Sequence, residues 1–191
     1  TFILILLVVA SPLVQAKKSL PLDSLLLVLD KEIVNDKYKK EKENELSFLR
    51  KQLKNQTLTL DQQYTLYVEL TNEYEFYRCD SAYQYALKLY DIAEKSGKKA
   101  LIIDSKIKLA SIQFKTAMFN DAIELLDSID EKELTSEQRF NYYKVYYETY
   151  VSWVEFYDEG YENSLLNGKR DYYYEEFLKI ISQSTYEYAS Y

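Results

Sequence analysis

The chain has 191 residues, 31 of them acidic and 24 basic, giving a formal net charge of −7, a balance that repels phosphate backbones and speaks against direct nucleic-acid binding by this segment. It has no His, one cysteine (Cys79), three glycines and two prolines, both prolines at or before Pro21. These counts exclude an intramolecular disulfide, a Cys–His nucleophile and the turns of a β-sandwich or barrel, leaving an all-α chain held by packing alone.

Phe2 to Ala10 is an uninterrupted apolar run, followed by Ser11-Pro12 and the small-x-small ending Val14-Gln15-Ala16. The run is shorter than the roughly 20 residues that cross a bilayer, so residues 1–16 read as a cleaved export signal with Lys17 as the mature start. Thr1 follows neither an initiator Met nor a basic stretch, so a longer natural N-terminus is expected. The remainder, about one domain's worth, is expected to be one globular unit in two parts, an N-terminal helical segment over 17–57 and a repeat region over 58–191.

Leu22, Leu25, Leu26, Leu29 and Ile33 recur at helical spacing, the pattern lapses between Lys37 and Glu45, and Leu46, Leu49 and Leu53 restore it. This predicts two helices, or one bent helix, with a solvated middle. The seven basic and three acidic residues of Lys37 to Lys54 read as a solvated helix surface, because no aromatic platform is interleaved with them. Asn55-Gln56-Thr57 fits a glycosylation sequon but reads as a polar link to the next helix.

Thr59-Leu60-Asp61-Gln62 is a capping box that predicts a helix to about Tyr77. A second helix is expected from Asp80-Ser81 to Gly97, a C′ glycine, with Ala82, Ala86, Leu89 and Ala93 inward. A third should span about Lys98 to Thr116, and Asn120-Asp121 should cap a fourth ending near Ile129. Cys79 is expected to be a small buried hydrophobe. Thr135-Ser136-Glu137-Gln138 is a further capping box, and behind it Phe140, Tyr143, Tyr147, Tyr150, Val154 and Tyr157 are spaced 3, 4, 3, 4, 3. That regularity predicts a buried seam with Tyr142, Tyr146 and Trp153 partly exposed. Asp158-Glu159-Gly160 should end the helix, followed by a short turn to Asn167-Gly168 and a last helix from Asp171 to about Gln183.

Paired helices with short links call for an internal repeat. Leu109-Ala110, Phe119, Ala122-Ile123, Leu126 and Ile129 resemble the second half of a tetratricopeptide repeat, and Ala82 and Ala86 hold the equivalent small positions one unit earlier. Lys106, Ala110, Gln113 and Ala117 stand where that consensus usually has Trp, Gly, Tyr and Gly. The fold expected is a tetratricopeptide-like α-solenoid, a right-handed stack of antiparallel helix hairpins.

A wider resemblance rests on Leu22-Asp23-Ser24-Leu25-Leu26, the Asp80-Ser81-Ala82 helix start and the tyrosine-laden C-terminal third. These are similar to the N-terminal periplasmic part of a family of envelope-exported, tetratricopeptide-like transcriptional regulators of Gram-negative bacteria, classed as a domain of unknown function. The resemblance implies a transmembrane helix and a cytoplasmic helix-turn-helix segment further along such proteins, so membrane contact is expected only through a helix beyond Tyr191.

No glycine-rich phosphate loop, imidazole or Ca²⁺-type acidic loop appears, and adjacent carboxylates such as Asp158-Glu159 do not face each other on a helix. The expectation is a non-enzyme with no cofactor and no metal, binding a protein or peptide. The concave face of the stack should come from the helices Thr59 to Tyr77, Lys98 to Thr116 and Thr135 to Tyr157. On those helices Tyr67, Tyr74, Gln113, Tyr142, Tyr146 and Trp153 lie outside the packing seams and are candidate partner-binding residues. The function expected is a periplasmic sensor or interaction domain of a membrane-anchored regulator. A free periplasmic scaffold without signalling is the alternative, and a glycan or small-molecule binding protein a third class.

Overall fold

The computed structural model describes residues 22–33, 36–156 and 161–189, and side chains over most of that range. The export signal with its Ala16–Lys17 cleavage point, and the helix end expected at Asp158-Glu159-Gly160, lie outside the described residues. Among the described residues there are eight α-helices, one 3-10 turn and no strand. The chain divides into two compact units, 1–43 and 44–191. The first contains helix α1 (Leu22–Ile33) and the start of α2 (Asp36–Leu53). The charged stretch from Lys37 to Glu45 is helical, with exposed side chains such as Lys37 and Glu41, 4.0 Å apart, and it runs into the part of α2 that buries Leu46 and Leu49.

The second unit begins within α2 and continues through α3 (Leu60–Glu75), α4 (Cys79–Ser96), α5 (Lys99–Lys115), α6 (Phe119–Asp127), α7 (Ser136–Phe156) and α8 (Tyr161–Ala189). The helices pack as successive hairpins, α3 on α4, α5 on α6 and α7 on α8, with α4 against α5 and both α5 and α6 against α7. This is the tetratricopeptide-like solenoid that the sequence predicts. Both capping boxes form: Thr59 Oγ1 accepts from the Gln62 amide at 3.2 Å while the Gln62 side chain accepts from the Thr59 amide at 2.9 Å. Thr135 and Gln138 repeat the arrangement at 3.2 and 3.1 Å. Gly97 closes α4 in the left-handed region at φ 65°.

Several starts and stops differ from the sequence reading. α4 begins at Cys79 behind Arg78, and α6 at Phe119 behind Met118, neither with a side-chain cap. Cys79 is consequently exposed on the first turn rather than buried. Ala117 takes the left-handed turn between α5 and α6 at φ 60°, the conformation that the consensus glycine would adopt without strain. Gly168 does not break the last helix; it sits inside α8 with open space around its Cβ position. A lone glycine costs such a helix about 1 kcal/mol, less than the packing of Tyr173 and Phe177 against α7 returns.

Close contact at small residues sets the hairpin spacing. Ala82, Ala86, Ala110 and Ala122 are all fully buried, as the repeat pattern requires. Two apolar clusters form around them. One gathers Leu46, Leu66, Leu70 and Tyr74 with Leu109 and Ile112, and the other gathers Ile103, Ile107 and Phe114 with Leu126, Tyr143 and Tyr146. Each fully buried leucine contributes about 1.5–3 kcal/mol. α5 feeds both clusters, which is why its apolar residues fall on two opposing faces rather than one stripe. The buried hydroxyls of Thr71 and Thr149 donate to the carbonyls of Tyr67 and Val145 at 2.7 and 2.6 Å, so neither is left unsatisfied. Ala122→Leu should force α6 away from α5 and lower stability by about 1–3 kcal/mol, read as a shifted urea midpoint; an unchanged midpoint would place the close contact elsewhere.

Candidate functional site

The first helices of the three hairpins, α3, α5 and α7, lie side by side and are tied at their N-terminal ends. Lys98 Nζ reaches Asp61 at 2.6 Å. Gln138 Nε2 donates to the Ala100 carbonyl at 3.2 Å and to Asp104 Oδ1 at 2.8 Å. Between them runs an open groove of about 1040 Å³. Its floor is apolar, with Ile107, Phe114 and Val145, and its walls are polar, with Ser111, Asn141 and Ser152.

Charge is distributed unevenly along the groove. Near the start of α5 stand Asp104 and Glu137. Burial raises the Asp104 pKa, and the Glu137 charge adds to that, with only the Gln138 hydrogen bond working against them. Further along, Glu75 at the end of α3 has its side chain only 9% exposed and is held by two lysines of α5, Lys108 at 2.6 Å and Lys115. Burial alone would raise the Glu75 pKa, but the two ammonium groups outweigh it and hold the carboxyl below its ordinary range. The Lys115 ammonium also lies 4.9 Å from the ring of Phe76, which is 88% exposed at the groove edge.

The groove runs along α5 and α7, two of the three helices expected to form the binding face, with Glu75 and Phe76 at the end of the third, but none of the six candidate residues lines it. Tyr67 is half-buried against Tyr85, with ring centroids 6.3 Å apart. Tyr74 is buried, stacks on Tyr85 at 5.2 Å and accepts a hydrogen bond from Arg50 at 3.1 Å. Gln113 is buried on α5, its Oε1 without a hydrogen-bond partner. Tyr142 and Tyr146, expected to be partly exposed, are core residues at 3% and 1% exposure. Trp153 is half-buried, stacked on Phe119 at 5.6 Å.

The register of α7 explains the correction. Tyr143 and Tyr150 are buried as predicted, but Tyr147 is only half-buried and faces the groove, between α5 and the Tyr174 and Phe177 rings of α8. α7 is covered on one side by α5 and α6 and on another by α8, so it buries a wide arc rather than one 3-4 stripe. Tyr142 and Val145 face the earlier hairpin; Tyr146 is stacked on Tyr173 of α8 at 4.1 Å. The Tyr146 hydroxyl donates to Asp127 and the Tyr143 hydroxyl to Glu131 at 2.7 Å. Burial, then these carboxylate partners, pushes both phenol pKa values up, and burial first of all raises that of Tyr142 to about 12. Tyr142 and Tyr146 line a smaller cavity of about 520 Å³ beside Asp127, Glu131 and Arg139. No group of His, Cys, Asp and Glu able to hold a metal ion occurs among the described residues.

Stacked helix hairpins with a groove along their first helices define a tetratricopeptide-like repeat domain, a scaffold class that generally serves protein–protein interaction rather than catalysis. The chain belongs to the SusR N-terminal TPR domain family, whose model matches residues 34–191. No curated protein and no solved structure matches it.

Two outcomes follow from the geometry. Tyr146→Ala should cost about 3–5 kcal/mol, whereas Tyr147→Ala, at a half-buried position, should cost less than half as much in the same thermal melts; equal losses would restore the 3-4 register. Because the folded-state pKa of Glu75 lies below its unfolded value, its contribution to stability is complete above about the ordinary 4.5 and is lost as pH falls through the folded value. The stability gap between the native chain and Glu75→Gln should therefore be constant at neutral pH and close on acidification; a gap independent of pH would show that the lysine pair does not stabilise the carboxylate.

Proposed function

We propose that this domain is the periplasmic sensor or interaction part of a membrane-anchored transcriptional regulator, and that a protein or peptide partner docks in the groove between α5 and α7. The observation that carries this reading is the groove itself, open and amphipathic along α5 and α7 of a SusR-type domain. Export rests on the apolar run and small-x-small ending of residues 1–16. Membrane anchoring is the part of this proposal that rests on the family resemblance; among the described residues no helix is long and apolar enough to cross a membrane. In this reading a docked partner biases an equilibrium between two states of the regulator by its unequal affinity for them.

Phe76 offers the cleanest test, since its ring is 88% exposed and can be removed without opening the core. In the native host, Phe76→Ala should leave the melting temperature unchanged and weaken the transcriptional response, and envelope protein should start at Lys17. An unaltered response would remove the groove as the docking site, and intact residues 1–16 in the envelope fraction would remove the export reading.

A further inference from the structure

The polarity of the groove specifies more than the presence of a partner. Asp104 and Lys115 are eleven residues apart on α5, which at 1.5 Å per residue is about 16 Å, the reach of about five residues of extended chain. At the first end Asp104 and Glu137 line the groove, and Asp104 Oδ1 accepts a hydrogen bond from Gln138 at 2.8 Å. At the other, Glu75 is almost buried and draws Lys108 and Lys115 toward one another. The lysine side chains are still 25% and 28% exposed, and each ammonium has three donors of which one carboxylate oxygen uses one. Between the ends the floor is apolar, built by Ile107, Phe114 and Val145 with Phe76 and Tyr147 as aromatic edges, while the charges on the α7 wall, Lys144 and Glu148, pair with each other at 3.8 Å.

We propose that the groove takes an extended peptide segment with a basic side chain at one end, seated by Asp104 and Glu137, and a carboxylate about five residues away, seated by Lys108 and Lys115, with apolar side chains between. This rests on the docking reading above. A basic group relieves the repulsion between Asp104 and Glu137, and a carboxylate completes the donor set that Glu75 organises. A uniformly acidic or basic segment meets like charge at one end. The carboxylate can be an Asp or Glu side chain or a chain terminus, which the groove recognises by the same chemistry.

The test is selection of random octapeptides on the full chain, in one library with amidated and one with free C-termini. Retained sequences should pair a Lys or Arg with an acidic residue about five positions away, or with the free terminus in the second library alone. Asp104→Asn, which keeps the acceptor for Gln138, and the exposed Glu137→Gln should each weaken retained peptides roughly three- to fivefold and relax the basic preference only. Lys115→Gln should relax the acidic preference only. Raising the salt concentration should weaken binding to the native chain more than to a chain carrying both Asp104→Asn and Glu137→Gln. Retained peptides without paired charges, or binding indifferent to all three substitutions, would overturn this inference and leave groove docking standing. No retained peptide, together with an unaltered response of Phe76→Ala in cells, would overturn both.

Discussion

The structure of the second unit depends on α5 being buried on opposing faces. Leu109 and Ile112 complete the cluster built on α2, α3 and α4, while Ile103, Ile107 and Phe114 belong to the cluster with α6 and α7. A helix packed on both sides has little freedom to rotate, because every turn of it fills a fixed space on two neighbours. With a single cysteine the chain has no intramolecular disulfide to fix one hairpin against the next, so this packing, with the polar links between hairpins, does so. The small side chains of Ala82, Ala86, Ala110 and Ala122 allow the helices close enough for the large ones to interdigitate.

The groove is a consequence of that arrangement rather than a separate construction. Fixing α5 between its neighbours leaves its remaining face, with α7 beside it and the end of α3 at one corner, open along its length. The polar links that tie α3, α5 and α7 together, Asp61 with Lys98 and Gln138 with Asp104, sit at the groove's opening end. The Glu75 carboxylate at the other end is costly to bury alone, and the two lysines of α5 offset that cost while remaining partly solvated. Structural charge pairs thereby give the groove a direction.

Tyrosine serves the seams more than the surface. At the α6–α7–α8 corner, ring stacking of Tyr146 on Tyr173 and edge contacts of Tyr142 with Tyr143 and Tyr146 fill the space between helices. Phenylalanine would fill the same volume, but these rings end near the surface, where Asp127 and Glu131 accept their hydroxyls. An amphipathic aromatic satisfies both requirements with one side chain. Tyr74 does the same for the earlier hairpin through Arg50.

By itself the sequence determined what local physics determines. Two capping boxes, the Gly97 stop, the scarcity of Gly and Pro, and the paired small residues are each decided within a turn or two of helix, and they were enough for the fold class and for the first helix of each hairpin. Starts without a side-chain cap, at Cys79 and Phe119, left no local signal, and Gly168 inside α8 gave a misleading one. Which face of α7 is inward was decided only by tertiary structure. With tyrosine at 142, 143, 146, 147 and 150, several stripes are equally apolar, and burial goes to whichever rings meet α5, α6 and α8. The groove was illegible for the same reason: Glu75, Asp104 and Lys115 look like ordinary solvated charges in sequence, and only the packing of α3, α5 and α7 gathers them along one face.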